Sequence, residues 1–337
     1  VRGGSPDENL VLLDGTEIYN PYHIGGIFSA FNTDMISDVE FLAGGFPANY
    51  GGRLSSVLSI TGREGDSKNG RLSKNNPLKK YWDFSKAVAD ISLLSSKILA
   101  EGALNNGSWM ISGRRTYFDQ FTKLYYQYTD EPEPARYYFW DTHIKLKTAL
   151  SQNNQLYYSQ FSGNDNLGIN VGGNGFPAIG FDWDWGNYTN NITWKFIPTS
   201  NYFVESKLSQ TIYDFTIDFA IDFVTNSSVI DEELSSEDAD FTFTVDNLVK
   251  DVSFEQLLSY IYSEDLQFKL GWQYKTLNMD YKETFAEQDG VKLKSIPNIK
   301  SIYINSIYRP LPIFSMNLGV RLSKYSAYKE TLFDPFT

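Results

Sequence analysis

The sequence predicts an all-β-dominated fold: a transmembrane antiparallel β-barrel wall of about ten strands, preceded by a small glycine-rich unit of different character. Three observations carry that prediction. After residue 80 the apolar side chains recur with a period of two, which places successive residues on opposite faces of a strand. The connections between these stretches alternate between short and long, as periplasmic turns and extracellular loops do in outer-membrane barrels. Residues 1–66 show no sustained alternation and are dense in glycine and in turn signals such as Asp14-Gly15 and Gly51-Gly52.

The clearest strand runs from Asp265 to Lys275. Leu266, Phe268, Leu270, Trp272 and Tyr274 share one face, and Gln267, Lys269, Gly271 and Gln273 the other. The apolar row is expected to meet lipid and Gln267, Lys269 and Gln273 to line the lumen, because a charge on the lipid face near mid-bilayer costs about 2–4 kcal/mol. The same pattern sets Phe314, Met316, Leu318, Val320 and Leu322 against Ser315, Asn317, Gly319, Arg321 and Ser323. It also sets Trp140, Ile144 and Leu146 against Asp141, His143, Lys145 and Lys147. Weaker alternation at 86–100, 109–117, 155–162, 188–196, 202–213, 252–262 and 299–308 completes the set. The short links fall at 105–108, 151–154, 198–200, 263–264 and 310–312, and the long ones near 118–137, 163–187, 214–251 and 276–298.

Composition narrows the function. A net charge of -12 argues against nucleic acid, whose phosphates call for a basic face. Aromatic residues make up 16% of the 337-residue chain, which suits a wall with aromatic girdles at both lipid interfaces. There is no run of 18 apolar residues to make a transmembrane helix, and alternating strands would leave none. The absence of cysteine removes disulfides, thiolate metal sites and cysteine nucleophiles. His23 and His143 are the only histidines, too few for a histidine-based metal site or an evident catalytic triad. Gly173-Asn174-Gly175 imitates a dinucleotide loop but is expected to sit in a long connection with no strand before it and no helix after it. The acidic run Asp231, Glu232, Glu233, Glu237, Asp238 and Asp240 matches no calcium-loop spacing and is expected to be a solvated loop. No enzyme, cofactor or metal site is expected. The N-terminus has no charged and apolar leader, so an exported protein would begin earlier.

Residues 1–66 contain VRGGSPDENLVLLDG (1–15), YNPYHIGGIFSAFN (19–32) and VEFLAGGFPANYGGRLSSVLSITGREG (39–65). This resembles the second half of the plug domain of TonB-dependent receptors. The matching elements, in order, are Arg2-Gly3-Gly4, Leu13-Asp14-Gly15, the segment Gly44-Gly45-Phe46-Pro47, and Tyr50-Gly51-Gly52-Arg53 ahead of a short strand. Further on, SGRRTYFD (112–119) and YYFWDTHIKLK (137–147) resemble barrel strands of the members that carry a carboxypeptidase-like regulatory domain before the plug.

The resemblance implies a plug (1–66) inside a barrel (67–337) of about 22 strands, of which this chain would hold the first part. It also implies an outer-membrane location, contact with lipid and lipopolysaccharide, and active import of an extracellular ligand driven by TonB, whose binding segment would lie outside this chain. Surface lipoproteins are further candidate partners, although Gly52-Arg53-Leu54-Ser55-Ser56 departs from the SusC-like polysaccharide importers. Siderophore, peptide, oligosaccharide and cobalamin all remain open as ligands. The alternative is a receptor-like barrel that has lost transport and serves as a structural or assembly subunit. The family places Tyr19, Asn20, Tyr22 and His23 on an outward loop where ligand would land. It gives Arg2 and Arg53 the role of pairing with barrel carboxylates to hold the plug in register.

Overall fold

The computed structural model describes residues 1, 3–66, 82–129, 135–173, 176–223, 239–286, 288–326 and 329–331. Arg2, Asn174, Gly175 and residues 231–238 of the acidic run lie outside the described residues.

The N-terminal unit contains β1 (Asn9–Leu13), β2 (Thr16–Glu17), β3 (Tyr22–His23), β4 (Phe28–Ser29), β5 (Ile36–Leu42) and β6 (Ser56–Gly62). Four of these form a sheet in the order β2-β1-β6-β5, with β1 and β6 parallel, while β3 and β4 make a separate hairpin. Asp14 and Gly15 close the β1–β2 hairpin, with φ of 50° and 77°. Positive φ at both central residues is what a two-residue hairpin turn demands, and Asp-Gly supplies it at little strain.

The wall comprises β7 (Trp82–Ile91), β8 (Ser95–Leu104), β9 (Gly107–Thr116), α1 (Phe118–Thr129), β10 (Ala135–Ser151), β11 (Asn154–Gly173), β12 (Phe176–Thr199), β13 (Tyr202–Asp222), β14 (Phe241–Ile261), β15 (Leu266–Phe285), β16 (Gln288–Ser295), β17 (Asn298–Leu311), β18 (Phe314–Ser326) and β19 (Lys329–Thr331). Eleven of these strands form one antiparallel path from β7 to β15 and on through β17 to β18, with β16 pairing beside β15 and β19 beside β16.

Two expectations are corrected. The stretch 86–100 is two strands, not one: the chain reverses at Ser92, where no glycine or proline announces a turn. The Ser92 hydroxyl accepts from the amides of Leu94 and Ser95 and donates to the Ser95 carbonyl, so a side chain closes the turn. The long connections near 163–187, 214–251 and 276–298 are also largely strand where they are described, whereas that near 118–137 holds α1. β11 and β12 stay paired from Asn154↔Phe196 to Gly173↔Phe176, so a strand does precede the Gly173 segment. At 24 residues β12 is more than twice the ~10 that cross a bilayer. Beyond the lipid the outer face turns polar, with Asn164, Asn166, Asp182, Asp184, Asp214 and Asp218 in register on it, while Leu167, Trp183, Trp185 and Phe215 of the inner face join an apolar cluster with Ile24, Phe28 and Phe139. The apolar row therefore passes from the outer to the inner face while the backbone ladder continues.

Within the lipid-crossing part the two faces are distinct. Leu270, Trp272 and Tyr274 are exposed on the outer face, and so are Leu318, Val320 and Leu322. Asp141, His143 and Lys145 are buried on the inner face, beneath the N-terminal unit.

Candidate functional site: the seam between plug and wall, and the plug apex

A dry patch and a set of ion pairs hold the small unit against the wall. The dry patch brings Val11, Leu13, Ile18, Ala30, Phe31, Met35 and Ile60 against the inward-facing Leu99, Met110 and Phe161 of β8, β9 and β11. Phe31 and Phe161 meet with ring centroids 5.7 Å apart. Apolar residues on the inner face of a barrel strand break the polar-in rule, and here they are apolar because they face a protein surface instead of water.

Beside this patch Asp14 enters a buried polar cluster. Its carboxylate lies 2.5 Å from the Lys145 ammonium, accepts from the Ser159 hydroxyl at 2.7 Å, and lies 3.3 Å from His143 Nε2. Burial by itself would raise its pKa, but the hydrogen bond from His143 and the charge on Lys145 outweigh that and hold the carboxyl well below the ordinary range. Gly62 makes the cluster possible. A Cβ there would fall 2.4 Å from the His143 ring.

Further ion pairs cross the seam: Arg63 with Glu101 at 2.9 Å, Glu64 with Lys147 at 2.6 Å, and Asp34 with Lys97 at 2.8 Å. Arg63 grips both Glu101 oxygens, the two-pronged geometry that suits a guanidinium. Arg53 pairs with Glu17 of the same unit at 2.8 Å, and Glu17 in turn accepts from Lys275 of β15 at 2.6 Å. The link from Arg53 to the wall thus runs through a plug carboxylate and a wall lysine. Arg63 and Glu64 carry no local signal of this role, although Gly62-Arg63-Glu64-Gly65 closes the segment 39–65. What would have exposed them is the charge left over on the inner faces of β8 and β10, which needs partners in a confined lumen.

These geometries separate the two arginines. Arg63→Ala leaves Glu101, whose side chain is 4% exposed, without its cation and should weaken docking by about 3 kcal/mol. Arg53→Ala leaves Glu17 still paired with Lys275 and should cost about 1 kcal/mol or less. The denaturant midpoint for tryptic release of the N-terminal unit, measured on the full-length protein in detergent, reports both.

The apex residues divide. Asn187 of β12 pins the loop by accepting from the Tyr19 amide and donating to the Asn20 carbonyl. The Tyr19 hydroxyl donates to Asp251, and burial, with Glu17 and Asp251 adding to it, pushes its pKa up. The Asn20 side chain caps the Tyr22 amide. Tyr22 is 48% exposed, whereas His23 is 2% exposed, as expected of neighbours on a strand whose side chains alternate. His23 is stacked on Phe139 at 3.8 Å and lies 2.5 Å from Asp165 and 3.8 Å from Asp141. The expectation that all four residues face ligand gives way to one open aromatic, Tyr22, above three that contact the wall or the loop itself. Among the turn residues, Gly3, Gly15, Gly44, Gly45 and Gly52 have positive φ, Gly4 packs against Glu8 and Ser55, Tyr50 is half-buried, and Gly51 lies directly under Arg321.

Burial would lower the pKa of His23, but the carboxylates of Asp141 and Asp165 more than compensate and raise it. Arg114, which pairs with Asp141 at 2.6 Å, and Tyr137, which donates to Asp165, complete its charged and titratable surroundings. A raised pKa contributes docking stability that is complete below the ordinary histidine value of about 6.5 and is lost as pH rises through the folded value. Plug release should therefore become easier as pH is raised above neutral, and His23→Gln should flatten that dependence.

A small mixed sheet seated on the inner face of a long-stranded antiparallel wall defines a plugged β-barrel. Residues 1–56 match the family model described as TonB-dependent Receptor Plug Domain. No curated protein sequence matches it. Among solved structures it is similar to the copper transporter OprC, with a TM-score of 0.67 at 9% identity over 98% of this chain and 48% of that one. It is also similar to the siderophore receptor PiuA from Acinetobacter baumannii, with a TM-score of 0.63 at 12% identity over 100% of this chain and 53% of that one. A mutant of the ferric enterobactin receptor PfeA from Pseudomonas aeruginosa gives a TM-score of 0.62 at 12% identity over 98% of this chain and 52% of that one. At such identities the likeness is one of fold, and the chain spans about half the length of these structures.

Proposed function

We propose that this chain forms the plug (1–66) and the first barrel strands (67–337) of an outer-membrane receptor that captures an extracellular ligand and imports it with energy from TonB. The observation that carries this reading is the way the plug is held. A permanent seal would be served by a continuous apolar interface, yet most of the links across this seam are ion pairs and hydrogen bonds, which can exchange with water when the plug is pulled. Tyr22, exposed on a pinned loop at the apex, offers an aromatic ring with a polar tip for the first contact with ligand. The outward aromatic rows fit lipid, and the polar strand extensions fit the lipopolysaccharide layer.

The test is binding of the periplasmic domain of TonB to the purified full-length receptor, measured by calorimetry. Saturable one-to-one binding is expected. A non-transporting assembly subunit would give none, and that result would remove active import.

A further inference from the structure

The plug is held unevenly. Toward β8, β9 and β11 the contact is the dry patch of Phe31, Met35, Leu99, Met110 and Phe161, flanked by the Arg63–Glu101 and Asp34–Lys97 pairs and by the Ser159–Asp14 hydrogen bond. Toward β13, β14, β15 and β17 a cavity of about 640 Å³ separates plug from wall. The groups around this cavity are charged and paired in sequence. Glu17 holds both Arg53 and Lys275, Lys275 also lies 2.5 Å from Asp251, and Lys207 pairs with Glu255 at 2.9 Å. Asp251 Oδ1 faces no hydrogen-bond partner among the described residues. The far margin is closed by polar contacts alone: Arg321 donates to the carbonyls of Ala48 and Asn49, and Asn305 bonds the Ala48 amide and the Asn49 side chain.

The two sides therefore differ in what opening requires. Parting the dry patch exposes apolar area to water with nothing to replace the lost contacts. Parting the cavity side breaks the Glu17–Lys275 pair and polar contacts whose members border the cavity, so that water or a charged solute can take the place of each lost partner.

Resting on the import reading above, we propose that the transport path opens along the cavity between the plug and β13–β17, with the dry patch acting as the hinge that stays closed, and that the solute is hydrophilic and charged. Cations and anions alternate around the path, so a solute of either sign can replace a wall or plug partner in passing. An uncharged apolar solute can replace none.

Because residues 1–337 hold no cysteine, single Ser→Cys variants of the full-length protein, with any cysteine outside these residues replaced, report each side separately. Ser209→Cys, Ser253→Cys and Ser301→Cys lie on the cavity, and Ser108→Cys, Ser112→Cys and Ser159→Cys lie on the hinge side; all six serines are buried. Cells with and without TonB are treated with a small cationic, a small anionic or an apolar benzyl thiosulfonate, after heat-modifiable mobility has shown each variant folded. TonB is expected to raise labelling at the three cavity positions by about tenfold, the change that ~1.4 kcal/mol of bias toward the open state gives. Both charged reagents should outpace the apolar one, and the hinge positions should not change. Equal TonB-dependent labelling on both sides, or labelling of the hinge side first, overturns the route and leaves import standing. No TonB-dependent labelling at any of the six positions overturns both, and faster reaction of the apolar reagent at the cavity positions overturns the solute class.

Discussion

Replacing Asp14 with alanine should loosen the plug by about 3–5 kcal/mol, because it strands a buried lysine. The Lys145 side chain is 5% exposed and keeps only the Gly62 carbonyl as a partner once Asp14 is gone. Ser159 loses an acceptor at the same time. The measurement is again the denaturant midpoint for tryptic release of the plug from the full-length receptor. A second variant separates lost attraction from stranded charge: adding Lys145→Met to Asp14→Ala should restore much of the loss, since removing both partners of a buried pair is far less harmful than removing one. If the double variant is no better than the single, the cluster acts through packing and not through charge. The depressed pKa of Asp14 has its own consequence. The stability it contributes is present above the ordinary carboxylate value and is lost only as pH falls through the lower folded value, so the cluster should persist in mild acid.

Phe31→Ala should cost a similar amount, about 3–5 kcal/mol, by a different route. Phe31 is 2% exposed and fills the space between the plug sheet and Phe161, so truncation leaves a cavity on the side of the seam that has no water to fill it. The effect should be independent of salt and of pH, whereas the Arg63 and His23 effects should not be. Tyr22→Ala on the open apex is the control and should leave plug release within ~0.5 kcal/mol of wild type. A large effect at Tyr22, or a small one at Phe31, would mean that the apolar patch does not carry the docking.

What could be read from the residues followed the solvent they meet. Leu266 to Lys275 declared a strand and its two faces because lipid and lumen impose opposite demands on alternate residues. The Asp14-Gly15 turn declared itself because positive φ at two successive positions selects those residues. The reversal at Ser92 did not, since a hydroxyl bonded to neighbouring amides does the work usually signalled by glycine. Nor did the strand extensions, where the apolar row changes from the outer to the inner face and breaks the pattern set within the lipid.

The sequence by itself determined that the chain forms a lipid-facing antiparallel wall with a glycine-rich plug, because those properties are local: period, turn chemistry and the order of short motifs. Which charges meet across the seam was decided only by the tertiary structure. Asp14 and Lys145 stand 131 positions apart, and Glu17 and Lys275 stand 258 apart. The structure alone also decided that His23 points into the wall while Tyr22 points away, and that an apolar patch lies on one side of the plug and a charged cavity on the other. Such pairings depend on how a separately folded sheet is rotated inside the wall, and no local pattern encodes that rotation.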